Sequence, residues 1–166
     1  MIIEGKAIKL KDNINTDLII SGRYKFSIVD LKELTKHIME DLDPQFSKKI
    51  IPGATIIVAG KNFGLGSSRE QAPLVIKEAG ILAVVAKSFA RIFYRNAFNI
   101  GLPLVELNTD FIQDGDFLKI DLKRGIIEDL TKDLKLDIKP LPKFMLEFLQ
   151  SSGVINYIKK NKKLKL

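Results

Sequence analysis

Lys61-Asn62-Phe63-Gly64-Leu65-Gly66-Ser67-Ser68-Arg69-Glu70 follows directly on Ile56-Ile57-Val58-Ala59-Gly60, a mostly β-branched run that reads as a buried strand. Beyond it, Glu70-Gln71-Ala72 through Glu78-Ala79 is made of helix-forming residues, and Gly80 is placed to stop the helix. The ten residues therefore join a strand end to a helix start. Helix-start N–H groups lack internal partners and carry partial positive charge, which suits an anion. Gly64 and Gly66 permit positive φ and close backbone approach; the hydroxyls of Ser67 and Ser68 and the guanidinium fork of Arg69 follow. Spacing alone leaves two readings, a generic serine-capped turn and a small-anion site. A nucleotide P-loop is excluded, because Gly66-Ser67-Ser68 lacks the lysine that must follow the last glycine.

Working outward, Ile81-Leu82-Ala83-Val84-Val85-Ala86 reads as a second buried strand. Strand, helix and strand in this order predict a right-handed βαβ unit with parallel strands. Ser88 to Asn99 is expected to be an aromatic-rich helix whose Phe89, Ile92, Phe93 and Ala97 face the core. Arg91 and Arg95, four residues apart, share one face and serve either an anion patch or an interface. Upstream, Ile2 to Leu10 alternates like a half-buried strand, with Gly5 as the candidate bulge. Lys11 to Asp17 is polar turn chemistry, in which Asp17 either caps the turn or holds an arginine or a substrate hydroxyl. Ser21 to Ile28 shows no period. Arg23 there either meets a carboxylate or lies on the surface.

Asp30 to Met39 predicts an amphipathic helix with Asp30 as N-cap, Glu33 completing a capping box, and Leu31, Leu34, Ile38 and Leu42 buried. His37, the single histidine, has no second ligand at helical spacing and receives no role. After a strand within Gly101–Leu107, three short strands (117–122, 126–130 and 134–138) form an antiparallel meander. Helices over 143–150 and 154–158 close the chain. The reading is one mixed α/β domain over residues 1–166 with a lysine-rich tail from about residue 159.

With 46% hydrophobic and 28% charged residues, the chain has the composition of an ordinary soluble globular protein. Met1 to Lys6 lacks a leader pattern and no apolar run is long enough to span a bilayer, so the cytoplasm is the default location and no membrane role is expected. Cysteine is absent, which excludes disulfides and thiolate ligation within this chain. Much of the net charge of +7 sits in Lys159-Lys160-Asn161-Lys162-Lys163-Leu164-Lys165, and elsewhere both signs mix with no stacking-rich aromatic motif among the basic residues; nucleic acid is not an expected partner.

Asn62-Phe63-Gly64-Leu65-Gly66-Ser67-Ser68-Arg69-Glu70 resembles the N-[FY]-G-x-G-S-S-R-E segment of the aconitase superfamily. Asn15-Thr16-Asp17 and Ala86-Lys87-Ser88-Phe89-Ala90-Arg91-Ile92-Phe93-Tyr94-Arg95-Asn96 agree with it, and the three cover the first two-thirds of the chain. In size the chain is similar to the separate small subunits of dehydratases acting on isopropylmalate, homoaconitate and dimethylmalate. The resemblance implies a swivelling β/β/α domain, a mixed sheet with a small antiparallel meander. It implies a hydro-lyase subunit, inactive alone, that isomerises 2- and 3-isopropylmalate by dehydration and rehydration in leucine biosynthesis. The partner is a large subunit carrying a [4Fe–4S] cluster, in a heterodimer or heterotetramer, with no cofactor on this chain. Ser67 is then the base and Asp17 orders the site, while Gly66, Ser68 and Arg69 bind a small hydroxy di- or tricarboxylic acid. Arg23, Tyr24, Lys25 and Phe26 form the substrate-selecting loop. Lys25-Phe26 matches neither the small or apolar residues of isopropylmalate enzymes nor the Leu-Arg of homoaconitases. Phe26 suits a branched apolar substituent, whereas Lys25 either meets a distal carboxylate or turns to solvent. The competing class is a regulatory or RNA-binding module that keeps the fold without the chemistry.

Overall fold

The computed structural model describes residues 1–25, 27–67 and 70–161, and for Lys25 the backbone alone. Strand β1 (Ile2–Lys9) alternates as expected, with Ile3, Gly5 and Ala7 turned inward. It lies at the middle of a seven-stranded sheet of order β4-β3-β2-β1-β5-β6-β7. On one side β2 (Thr55–Ala59), β3 (Ile81–Ala86) and β4 (Leu104–Glu106) run parallel to it. On the other, β5 (Phe117–Asp121), β6 (Ile126–Asp129) and β7 (Leu134–Asp137) form the expected antiparallel meander. The sheet thus changes sense at β1.

Side-chain alternation divides the interior into two cores. Ile57, Ala59, Val84 and Ala86 face one side, and Ile56, Val58, Ala83 and Val85 the other. The second core also holds Leu118, Ile120 and Ile127 of the meander, so the antiparallel half curls back over the parallel half. Within β3 the alternation slips once. Thr55 pairs with Ile81 but Ile56 with Ala83, which leaves Leu82 as the extra residue of a bulge. Gly5 is not a bulge: its pairings run through without a break. A Cβ at that position would lie 2.8 Å from the Ala54 carbonyl oxygen, so the glycine serves close approach of two backbones.

Among the described residues, eight helical segments cover the sheet: α1 (Thr16–Ile19), α2 (Gly22–Lys25), α3 (Leu31–Thr35), α4 (Phe46–Lys49), α5 (Gln71–Glu78), α6 (Arg91–Ile100), α7 (Lys143–Gln150) and α8 (Val154–Asn161). Helix α5 ends at Gly80 (φ +77°) as predicted and buries Ala72, Val75 and Ile76 in the first core. Helix α3 is half the predicted length. Asp30 caps it, its side chain accepting from the Lys32 N–H at 2.9 Å, but Glu33 binds Lys36 at 2.7 Å in place of closing a capping box. The chain then passes through turns with Met39 at φ +52°, which buries Ile38 and Met39 and leaves Leu42 partly exposed. Helix α6 starts at Arg91, three residues later than predicted, because the chain before it is held as extended backbone. None of the described helices is long and apolar enough to cross a membrane.

A buried charge cluster fastens the meander. The Lys132 ammonium pairs with the Asp116 carboxylate, donates to the Phe111 carbonyl at 2.7 Å and lies 3.5 Å from Asp129 Oδ2. Burial pushes the Asp116 carboxyl up, but the Lys132 ammonium and the Gln113 N–H, donating at 2.6 Å, outweigh it and hold the group below its ordinary range.

Candidate active site

The three adjacent parallel strands β1, β2 and β3 do not release their chain where the ladder ends. Residues 11–16, 60–67 and 87–90 continue side by side beyond the strands' carboxyl ends, where ligands collect in open parallel sheets. The middle segment is bonded on both flanks. Toward 11–16, Asn13 N–H donates to the Lys61 carbonyl (2.8 Å), Gly64 N–H to the Ile14 carbonyl (2.7 Å) and Thr16 N–H to the Leu65 carbonyl (2.8 Å). Toward 87–90, Phe63 N–H donates to the Ser88 carbonyl (3.0 Å), Ala90 N–H to the Phe63 carbonyl (2.9 Å) and Asn62 N–H to Ser88 Oγ (2.9 Å). Asn13 and Asn62 both take left-handed backbone (φ 60° and 58°), which asparagine tolerates, and Asn62 Nδ2 donates to Asn13 Oδ1 at 3.0 Å.

Phe63 roots the loop in the core, fully buried with its ring 5.2 Å edge-on to Phe93 and 6.0 Å from Phe89. Gly64 needs both its positive φ (+78°) and its missing side chain, since a Cβ would lie 2.2 Å from the Phe93 ring. Gly66, at φ +101°, needs the backbone freedom but not the space. Ser67 comes next, exposed. Its carbonyl accepts from Thr16 Oγ1 at 3.0 Å, and Thr16 is itself buried. One hydroxyl on the neighbouring segment therefore fixes the peptide plane behind the serine. The sequence reading weighed Asp17 and passed over Thr16, although the two are adjacent in the same short motif.

Ser67, Gly66, Gly64 and Thr16 border a depression of about 330 Å³ whose other wall is the first turns of α6, including Arg91, Ile92 and Asn96. The predicted Arg pair is therefore divided. Arg91 lines the depression with Ser67, whereas Arg95, one turn on, is not among its lining residues. Asn96 was not singled out from the sequence; nothing in the motif distinguishes it from a helical surface residue. Glu70, and not a serine, occupies the N-cap position of α5 and makes no side-chain capping bond. Ser68 and Arg69 lie outside the described residues. Asp17 is an exposed acid in the first turn of α1, whose cap is Asn15, accepting from the Leu18 N–H at 2.8 Å.

Within the predicted 21–28 loop, Gly22–Lys25 forms α2. Arg23 pairs with Asp41 and lies 5.4 Å from the centre of the Tyr24 ring. Tyr24 stacks on His37 at 3.8 Å and donates from its hydroxyl to Glu40 at 3.1 Å, a bond that pushes the phenol above its ordinary range. His37, given no role from sequence, bonds Glu40 at 2.5 Å and holds that carboxyl down. This network ties α2 to the 37–41 turn. Neither Arg23 nor Tyr24 borders the Ser67 depression; Phe26 and the Lys25 side chain lie outside the described residues.

A larger depression of about 640 Å³ flanks β1 between Phe46 and Asp114. Its polar rim is mainly lysine and aspartate, and its one lining hydroxyl, Thr55, is buried and bonded to the Ile51 backbone, so volume alone does not choose the site. The chain has no cysteine, and among the described residues no three His, Asp or Glu side chains are grouped to hold a metal ion. The donor set present here does not fit an iron–sulfur cluster.

Comparison with known proteins places the fold in a family. Residues 6–109 match the family model described as the aconitase C-terminal domain. The chain is 51% identical to the 3-isopropylmalate dehydratase small subunit 2 of Archaeoglobus fulgidus over the whole of both chains. It is 53% identical to the small subunit 1 of Thermotoga maritima, with 96% of each chain covered. A crystal structure titled 3-isopropylmalate dehydratase, from Methanocaldococcus jannaschii, superposes with a TM-score of 0.91 at 48% identity, covering 98% of this chain and 96% of the other.

Proposed function

We infer the work of this site from one premise: the chain belongs to the aconitase C-terminal domain family and, within it, to the small subunits of 3-isopropylmalate dehydratase, a hydro-lyase. The substrate is 3-isopropylmalate and its 2-isomer, interconverted by loss and readdition of water. The observation that carries this reading is the placement of Ser67. It stands exposed at the end of a backbone bonded on both flanks, with its carbonyl pinned by Thr16 and a depression beside it.

Ser67 Oγ removes the carbon-bound proton next to a carboxylate. The electron pair left on carbon forms the double bond as the hydroxyl leaves the neighbouring carbon as water, its proton donated by an acid of the assembled two-subunit site. Readdition with hydrogen and hydroxyl exchanged gives the isomer. A serine alkoxide is a poor species in water, so the site must stabilise it with preorganised donors and positive charge. Arg69 and Ser68 hold substrate carboxylates, and Asp17 orders the opposite segment. The 23–26 segment is read as selecting the alkyl branch, Arg23 and Tyr24 acting from outside the depression beside Ser67. The chain has no ligands for the [4Fe–4S] cluster, which belongs to a large subunit against which the open depression closes, in a heterodimer or heterotetramer in the cytoplasm.

The test is anaerobic. Mixing the chain with its cluster-bearing large subunit and following the unsaturated product should show turnover of isopropylmalate that needs both chains and vanishes in Ser67→Ala. Full turnover by that variant would overturn the reading of Ser67. Faster turnover of dimethylmalate or homoaconitate would reassign the substrate, and no turnover, with RNA retained in a salt-dependent manner, would favour a binding module.

A further inference from the structure

The catalytic reading leaves two polar side chains of the depression without work. Arg91 is exposed and Asn96 half-buried, and both line the same concavity as Ser67. Among the described residues no carboxylate pairs with Arg91, and no hydrogen bond engages the Asn96 amide. Arginines on helices commonly pair along the surface with an acid three or four residues away. Here those positions on α6 hold Tyr94 and Arg95, so the helix supplies no such partner. Ile92, between the two, is 51% exposed and lines the depression as well. A cation, an amide and an apolar side chain thus face one serine across a cavity.

We propose that Arg91 and Asn96 receive one of the two carboxylates of the substrate across the depression from Ser67, and so act as binding residues for the dehydratase reaction. The proposal rests on the reading of Ser67 as the reactive centre. A guanidinium fork binds a carboxylate through two parallel N–H···O bonds, and an amide N–H from Asn96 adds a third. With the carboxylate held there, the carbon next to it lies toward the serine. Arg91 also places a positive charge near the alkoxide that Ser67 becomes.

The experiment uses the assembled two-subunit enzyme and a pair of competitive ligands, a hydroxy-dicarboxylate analogue and its monoamide. The wild type should bind the dicarboxylate about 10–100-fold more tightly, the range expected for losing a charge-assisted contact. Arg91→Ala should lose about that factor for the dicarboxylate and little for the monoamide, so that the preference collapses. Arg91→Lys should recover only part of it. The change should appear mainly in KM. Asn96→Ala should show a smaller loss with the same pattern. Arg95→Ala, one turn along the same helix, should stay within about two-fold. An unchanged preference in Arg91→Ala overturns the proposal. So does equal weakening of both ligands, or weaker association with the large subunit at unchanged ligand preference, which would make Arg91 an interface residue. Melting temperatures of each variant separate these results from misfolding. Full activity in Ser67→Ala removes the parent reading by itself, whereas loss of activity there with no effect of Arg91→Ala removes this inference alone.

Discussion

The two halves of the sheet flank the same strand and differ in what they do with their ends. On the parallel side, three chain segments leave the sheet in the same direction and stay hydrogen-bonded for several residues more, which brings asparagines, glycines and Ser67 to one edge. On the antiparallel side, each strand hands directly to the next through a tight turn, and polar residues there bind one another: Lys132 with Asp116 and Asp129. Parallel strands need long crossovers that start and finish at opposite ends of the sheet, so their carboxyl ends gather free backbone and variable side chains. Hairpins use up their backbone groups in the turn. The place of the depression follows from strand direction.

Ser67→Ala tests that division most sharply. Activity of the assembled enzyme should fall about 10²–10⁴-fold, the usual contribution of a positioned base. The Tm should move by less than about 2 °C, since an exposed hydroxyl contributes little to stability.

Next come two glycines, one from each half. Gly64→Ala forces a Cβ to 2.2 Å from the Phe93 ring at φ +78° and should cost about 3 kcal/mol in denaturant unfolding. Gly115→Ala shares the positive φ (+87°) but meets only Lys6 Cε at 3.5 Å, so about 1 kcal/mol is expected. Equal costs would mean that the packing behind the Ser67 loop is not special.

Lys132→Met should damage the other half alone. It leaves Asp116 and Asp129 buried without their cation, and the Tm should fall by about 5 °C at pH 7 with ligand affinity unchanged. The pH dependence has a definite sign. In the wild type the Asp116 carboxyl is held below its ordinary 3.8, so its contribution is present above that value and lost as pH falls through the folded value. In the variant, burial raises the carboxyl instead, so the deficit relative to wild type should be largest near neutral pH and shrink in acid.

The smallest effect is expected from Thr16→Val, which removes the donor to the Ser67 carbonyl. About 1 kcal/mol of stability and a few-fold loss in kcat should follow. A change in kcat without any in KM would show that Thr16 acts by orienting the serine.

Much of this was readable beforehand. The strands declared themselves by β-branched runs, α5 by its composition and Gly80, and the strand-to-helix loop ending at Ser67 by Gly64 and Gly66 next to hydroxyls. Periodicity was silent on α1, α2 and α4, each four residues long and too short to show a face. The late start of α6 was hidden because residues 87–90 are helix-compatible locally and extended only because Phe63 pairs there. Arg91 and Arg95 looked equivalent for a related reason: a helix face is defined by what packs opposite it. The Asp116–Lys132–Asp129 cluster joins residues on different strands and turns, with no sequence signal linking them.

One further consequence concerns time. The central strand precedes both of its neighbours along the chain, and its register needs Thr55 on one edge and Asp121 on the other. Until residue 121 has emerged, β1 carries an open hydrogen-bonding edge, and both cores wait on contacts between distant parts of the chain. Folding should therefore be late and slow, closing from the middle of the sheet outward.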